Sequence, residues 1–100
     1  MVLLKIVKYS KFKGKNVNTK HQKTLGHIFK TPIVSNVKWS DIEKLFIGLG
    51  AEVTEGNGSR VRVILNEVKA VFHRPHPKIE TDKGALISVR KFLLNAGIES

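Results

Sequence analysis

The chain has 100 residues, no cysteine and a formal net charge of +10. This length makes one small domain, and a hydrophobic content of 41% favours a folded chain over a disordered one. The composition excludes disulfides and thiolate-bound zinc, and every apolar run is far shorter than the roughly 20 residues that cross a bilayer. Lys5 interrupts the apolar run 2–7 and no small-residue cleavage site follows, so we expect a cytoplasmic protein without a signal peptide.

The positive charge is concentrated in the first part of the chain. Residues 1–40 contain nine lysines and no acidic residue, whereas residues 41–100 contain nine Lys or Arg against eight Asp or Glu. A basic arm of this kind neutralises phosphates without reading their sequence. The charge therefore favours a polyanionic partner such as RNA over a role in solubility alone.

The N-terminal segment is interpreted separately from the rest. Met1–Tyr9 alternates imperfectly between apolar and polar residues and fits an edge strand, whereas Lys11–Lys20 contains glycine and asparagine and is typical of a linker. We interpret residues 1–18 as a basic extension, either a mobile arm or an addition unrelated to the core. Residues 19–100 are predicted to form a single domain.

Two helices are predicted in the first half of this domain. Lys20–Lys30 has helical apolar spacing with Thr19 as its N-cap, and Pro32 ends it because the residue before proline avoids the α region. Val34–Val37 is a connection. The next helix begins with Ser40–Glu43, which fits a capping box. The predicted buried stripes of the two helices are Leu25, Ile28 and Phe29, and Ile42, Leu45, Phe46 and Leu49; Trp39 is a predicted hydrophobic staple and Gly50 the C-terminal stop.

Three short strands and a final helix are predicted to follow. Ala51–Glu55, Arg60–Leu65 and Lys69–His73 alternate in polarity and are joined by turn residues, which favours an antiparallel meander. After a loop over Lys78–Thr81, Thr81 or Asp82 caps a helix over Lys83–Ala96. The order predicts an α+β fold in which two helices cover one face of a three-stranded antiparallel sheet (α-β-β-β-α), with a short N-terminal helix added. Double-stranded-RNA-binding domains use this topology.

The stretch Phe72–Pro77 contains the best candidates for acid–base chemistry. Two histidines flank Arg74 at the end of the third strand. Metal-free RNA cleavage needs a base, an acid and cations for the phosphate oxygens, and histidine exchanges protons near neutral pH. We predict catalytic roles for His73, His76 and Arg60. The residues predicted to bind RNA are Ser59, Arg62, Lys69, Arg74 and Lys78.

Two other interpretations of the same stretch stay open. It is also compatible with a rigid surface loop whose histidines have no chemical role. The spacing His73-x-x-His76 suits a metal, but Glu80 is the only further ligand near it. We therefore expect neither a metal ion nor another cofactor.

The ordered motifs of residues 20–98 resemble the HicA toxin family, the mRNA interferases of HicAB toxin–antitoxin pairs. The resemblance implies a double-stranded-RNA-binding-like fold and a metal-independent endoribonuclease that acts on mRNA in the prokaryotic cytoplasm. It also implies a HicB antitoxin that covers the active site, with oligomerisation through that partner. The motifs are Trp39-Ser40-Asp41-Ile42-Glu43, Leu49-Gly50-Ala51-Glu52, Gly58-Ser59, His73-Arg74-Pro75-His76-Pro77, Gly84-Ala85-Leu86 and Phe92-Leu93-x-x-Ala96-Gly97.

One position departs from the family pattern. The family's catalytic histidine directly follows Gly-Ser, and here that residue is Arg60. Arginine stays charged in proteins and cannot act as a general base. Either His73 or His76 transfers the proton, or the chain binds RNA without cutting it efficiently. A third interpretation is a protein-interaction domain whose cations meet an acidic partner.

Overall fold

A computed structural model describes residues 18–99 of the chain. The predicted strand Met1–Tyr9 and the order of the N-terminal extension lie outside the described residues. The elements in chain order are α1 (Thr19–Ile28), β1 (Val37–Lys38), α2 (Trp39–Gly48), β2 (Glu52–Glu55), β3 (Arg60–Leu65), β4 (Val68–His73), β5 (Glu80–Thr81) and α3 (Lys83–Asn95).

The main sheet is an antiparallel meander with the order β2-β3-β4. The hairpin between β3 and β4 turns through Asn66 and Glu67, whose φ angles of 50° and 71° are those of a type I′ turn. The side chain of Asn66 also donates a hydrogen bond of 2.8 Å to the carbonyl of Ala96, just after α3. The turn thus fixes both the register of the hairpin and the end of the last helix.

The helices cover one face of this sheet, which confirms the predicted α+β, double-stranded-RNA-binding-like fold. Along β3 the apolar side chains Val61, Val63 and Leu65 are buried, whereas Arg60 and Arg62 are exposed. Four aromatic rings stand at the centre of the core, with neighbouring ring centroids 5.6–6.4 Å apart. The four are Trp39, Phe46, Phe72 and Phe92, and their burial contributes roughly 1.5–3 kcal/mol per side chain.

The predicted start of α2 is wrong in its details. The helix begins at Trp39, one residue before the predicted cap Ser40, and no side chain caps it. The backbone N–H of Trp39 instead donates to the carbonyl of Ile79 at 3.0 Å, so tertiary pairing satisfies one of the free donors at the helix start. The carboxylate of Glu43 accepts hydrogen bonds from the Trp39 indole and from Arg74 rather than from the helix start.

The caps of the other two helices are asparagine and aspartate. Asn18 caps α1 and accepts from the N–H of His21 at 2.9 Å, so the predicted cap Thr19 is wrong by one residue. Asp82 caps α3 and accepts from the N–H of Ala85 at 2.7 Å, which confirms one of the two predicted alternatives.

A second, two-stranded ladder was not predicted. Val37 pairs with Thr81 and Lys38 with Glu80, in segments that the sequence predicts as a connection and a loop. A two-residue strand shows too little alternation to be recognised in sequence. The ladder ties the segment after β4 to the start of α2, and so holds the loop 74–79 beside the end of the main sheet.

Arg90 of α3 docks the first helix. Its guanidinium donates to the carbonyls of Ile28 at 2.9 Å and Lys30 at 2.8 Å, and lies 5.9 Å from the ring centroid of Phe29. The carbonyls at the end of α1 are thereby satisfied by a charged donor, which suits the negative end of a helix dipole. Leu25 and Ile28 are buried beneath this contact.

Candidate functional site

The sheet face turned away from the helices carries most of the predicted site residues. Within β3 and β4 its outward side chains are Arg60, Arg62, Ile64, Lys69, Val71 and His73, which we call the open face. In the register, Arg60 lies opposite His73, and Ile64 lies opposite Lys69. Apart from Ile64 these side chains are exposed. The open face therefore brings a histidine and three cations together on two adjacent strands.

Arg60 and His73 form a close cross-strand pair. The N–H of Arg74 donates to the carbonyl of Ser59 at 2.9 Å, and this bond places Arg60 and His73 at a non-hydrogen-bonded position of the ladder. Side chains at such positions stand closest, with Cβ atoms about 4.5–5.5 Å apart. The imidazole of His73 and the guanidinium of Arg60 therefore project side by side from the end of the sheet.

The turn before β3 holds Arg60 in place. The N–H of Gly56 donates to the carbonyl of Arg60 at 2.9 Å, and the N–H of Arg60 donates to the carbonyl of Asn57 at 3.2 Å. A Cβ on Gly56 would lie 3.0 Å from the Cβ of Arg60, so only glycine fits there without displacement. Gly58 has a φ of 63°. Ser59 is exposed at the end of this turn. Its carbonyl accepts the hydrogen bond from the backbone N–H of Arg74, directly after β4.

Two adjoining cavities lie along the open face. One, of about 290 Å³, lies beside the turn, and the other, of about 530 Å³, follows β3 and β4. They share Arg62 and the exposed side chain of Val71. The first is lined by Glu55, Gly56, Asn57, Arg60, Arg62 and Val71, and the second by Arg62, Val63, Ile64, Lys69, Ala70 and Val71. Both combine arginine side chains with the exposed apolar side chain of Val71, a surface that suits a phosphate backbone and its bases.

Arg74 is held by two carboxylates in a group that we call the Arg74 cluster (Arg74, Glu43 and Glu55). Its Nε and Nη2 donate to Glu43 at 2.7 and 3.1 Å. Its Nη1 and Nη2 donate to Glu55 at 2.7 and 2.8 Å. The hydrogen bond from Arg74, and then its charge, lower the pKa of Glu55 below the ordinary value for a glutamate. Hydrogen bonds to Glu55 and Glu43 raise the pKa of the Arg74 guanidinium.

The remaining predicted residues lie in the loop after β4. His76 and Lys78 are both exposed there, three and five residues beyond His73. The structure thus groups Arg60, Arg62, Lys69 and His73 on the open face, puts Ser59 and Arg74 at its end, and puts His76 and Lys78 in the adjoining loop. Their chemical roles stay predictions.

Sequence reasoning missed the two carboxylates of the Arg74 cluster. It assigned Glu43 to a helix cap and Glu55 to the end of a strand, because each has a local pattern that fits. Their partner Arg74 lies 31 and 19 residues away along the chain. No local spacing reports such a contact, which depends on the packing of α2 against the end of the sheet.

Two further properties concern the part of the chain that the structure describes. Within residues 18–99, no three His, Asp or Glu side chains are grouped as metal ligands would be. None of the helices in that range has the length and apolar character needed to cross a membrane.

Fold and site together define a small α+β domain of the double-stranded-RNA-binding type with a cationic open sheet face. The sequence model of the HicA toxin family, toxins of bacterial toxin–antitoxin systems, matches residues 39–98. The chain belongs to this family, a family of ribonuclease toxins that have an antitoxin partner. This confirms the resemblance seen in the sequence motifs. Helix α1 lies before the matched range. Neither the curated proteins nor the solved structures gave a match.

Proposed function

We propose that this chain is a metal-independent endoribonuclease that cleaves mRNA and is neutralised by a HicB-like antitoxin. The observation that carries the proposal is the Arg60–His73 pair on the open face. The pair supplies two of the three groups that cleavage through the ribose 2′-hydroxyl requires, a proton acceptor and a cation for the phosphate oxygens. The proposed place of action is the prokaryotic cytoplasm.

In the proposed reaction His73 accepts the proton of the 2′-hydroxyl. The 2′-oxygen then attacks the adjacent phosphorus, a 2′-O–P bond forms, and the P–O5′ bond breaks. The leaving 5′-oxygen takes a proton from His76, which the loop after β4 carries at the same end of the sheet. The products are a 2′,3′-cyclic phosphate and a free 5′-hydroxyl, so atoms and protons balance without an added reagent.

Arg60 has an electrostatic role in this scheme. Its permanent charge excludes it as a base, but a guanidinium can donate two hydrogen bonds to the non-bridging phosphate oxygens, where negative charge grows in the transition state. At the position directly after Gly58 and Ser59, this chain therefore has a residue that binds an anion in place of one that carries a proton. Proton transfer then falls to His73 and His76.

The other predicted residues bind the RNA backbone. Arg62 and Lys69 continue the cationic surface along the two cavities, and Lys78 extends it into the loop. Ser59 adds a hydroxyl at the turn. Such contacts supply affinity with little sequence preference, which suits an enzyme that acts on many messages.

Cleavage of RNA in the presence of EDTA tests the proposal. We expect the purified protein to release fragments with 2′,3′-cyclic phosphate ends, and His73→Ala to reduce the rate by about 100- to 10,000-fold, as for loss of a general base. His27→Ala is the matched control, since His27 is exposed on α1 and lies before the family match. Full activity in both His73→Ala and His76→Ala would contradict the proposal.

A second function, RNA binding without cleavage, is favoured by Arg60 itself. The position that follows Gly58-Ser59 holds a residue that cannot take a proton, while the cationic face is intact. This alternative predicts salt-dependent RNA binding with no cleavage products at any protein concentration. The two functions share a fold and differ in this one readout.

The antitoxin is proposed to cover the open face and to assemble the toxin into a larger complex. Co-expression with a small adjacent gene for a HicB-like protein should relieve growth arrest. A charge reversal at Arg62 should weaken the toxin–antitoxin complex if the open face is the contact. An unchanged complex would place the antitoxin elsewhere on the domain.

A further inference from the structure

The two carboxylates of the Arg74 cluster hold different edges of the guanidinium. Glu43 takes the side that presents Nε and Nη2, and Glu55 takes the end that presents Nη1 and Nη2. The end-on fork, like the side-on edge, binds either a carboxylate or a phosphate through two parallel N–H···O bonds. Glu55 therefore occupies an edge of Arg74 that a phosphate can also bind.

Glu43 is the fixed partner in this cluster. Its side chain is 18% exposed, it lies on the first turns of α2, and it accepts a further hydrogen bond from the buried Trp39 indole. Its removal would leave Trp39 and one edge of Arg74 without an acceptor. Glu43 thus sets the direction in which the fork of Arg74 points.

Glu55 is the exchangeable partner. Its side chain is 71% exposed, and it lies at the last residue of the edge strand β2. Ion pairs this exposed to water are weak, because solvent screens them and the side chains lose conformational freedom. Two hydrogen bonds from Arg74 to the Glu55 carboxylate nevertheless fill the fork when no other anion competes, and they lower the pKa of Glu55.

The position of Glu55 relates it to the open face. Glu55 lines the same cavity of about 290 Å³ as Arg60 and Arg62. Glu55 pairs with the buried Val61, so its carboxylate turns towards the helical side, where it meets Arg74 at the rim of this cavity. An RNA strand bound at the Arg60–His73 pair lies at the end of the sheet, where Arg74 directly follows His73 and Glu55 borders the cavity.

We propose that the outer fork of Arg74 is a phosphate site for RNA, that Glu55 fills it in the free protein, and that RNA displaces Glu55. The choice of RNA as ligand rests on the proposed function. The exchange exposes a positively charged fork only when the substrate backbone is present. Arg74 then binds Glu43 in the free protein and in the complex, and binds the RNA phosphate in the complex alone.

The test is equilibrium binding of a 2′-O-methyl RNA oligonucleotide, which lacks the attacking hydroxyl and cannot be cleaved through it. Glu55→Gln should bind this RNA about two- to fivefold more tightly than the parent, the range expected for loss of one exposed competing ion pair. Glu67→Gln is the matched control, because it removes one exposed acid from the hairpin turn at the other end of the sheet, and Glu67 has no hydrogen bond to Arg74. Equal gains in the two variants would overturn the proposal.

Two further variants separate displacement from a general change in charge. In an Arg74→Gln background, Glu55→Gln should give no gain, because the site is gone; a gain that persists there overturns the proposal. Glu43→Gln should weaken RNA binding, an effect opposite in sign to that of Glu55→Gln, because the Arg74 guanidinium then loses the carboxylate that holds its orientation. Thermal unfolding of each variant confirms that the fold is present. Cleavage of ordinary RNA is measured separately. Absence of cleavage would contradict the proposed ribonuclease activity and would leave the result of this binding experiment unchanged.

Discussion

The two faces of the main sheet share the same strands but differ in role: one packs against the helices and the other is exposed to solvent. On β3, Val61 and Val63 are fully buried against the helices, while Arg60 and Arg62 point to solvent one residue away. The inner face buries apolar area and is the source of stability. The open face contributes little to packing and collects cations with His73. A single residue step along a strand therefore changes the expected consequence of a mutation from unfolding to loss of RNA chemistry.

The largest effect is expected on the inner face at Phe72. Its ring is 5.6–5.7 Å from those of Trp39, Phe46 and Phe92, so Phe72→Ala leaves a cavity at the centre of the core. We expect a loss of about 3–5 kcal/mol in the free energy of unfolding, measured by urea denaturation. Activity should fall only in proportion to the unfolded fraction. A stable but inactive variant would show that the two faces are not separable.

The second-largest effect is expected on the open face, at the Arg60–His73 pair. Arg60→Ala should lower the cleavage rate by about 100- to 1,000-fold, as for loss of one donor to a developing oxyanion, while the unfolding free energy changes little. Single-turnover kinetics and denaturation on the same samples measure both. Arg60→His is the informative companion, since it restores a proton carrier after Gly58-Ser59. A large loss of stability in Arg60→Ala would contradict the division between the faces.

A smaller effect is expected along the rest of the open face. Arg62→Ala with Lys69→Ala removes two cations from the cavities, so the slope of log affinity against log salt should fall by about 1.4 for single-stranded RNA. Binding of 2′-O-methyl RNA at several salt concentrations measures this slope. Lys44→Ala with Lys83→Ala removes two exposed cations from the helical side and should leave the slope unchanged. Equal slopes in both double variants would mean that RNA does not use the open face.

The smallest effect is expected in the pH dependence of stability at the Arg74–Glu55 ion pair, which lies at the edge between the two faces. Arg74 lowers the native pKa of Glu55, so the pair contributes stability above the unfolded-state pKa and loses it as the pH falls through the native value. Glu55→Gln should therefore be slightly less stable than the parent at neutral pH and equal to it in strong acid. Thermal melts across pH test this. In an Arg74→Gln background the difference should be absent at every pH.

The sequence predicted what is local. The alternation of Arg60–Leu65 located β3 to the residue, the glycine at position 50 ended α2, and Asp82 was one of the two predicted caps of the last helix. These features succeed because periodicity and backbone conformation are properties of neighbouring residues.

What the sequence did not predict depends on distant contacts. Ser40 and Glu43 have the spacing of a capping box, but Trp39 joins the core and the N–H of the helix start pairs with Ile79, so tertiary structure overrides the motif. Arg74 has the appearance of a free phosphate ligand in the loop sequence. Its engagement by Glu43 and Glu55 follows only from the way that α2 and β2 meet the end of β4.

Arg90 has a consequence for how the domain can be divided. It lies on α3, inside residues 39–98, yet its hydrogen bonds go to Ile28 and Lys30 before that range. A chain cut back to the matched range would expose the apolar surface beneath Leu25 and Ile28 and leave this guanidinium without its acceptors. We therefore expect the smallest unit that folds autonomously to begin at the cap of α1, because the helix that precedes the family match packs against α3 through Arg90.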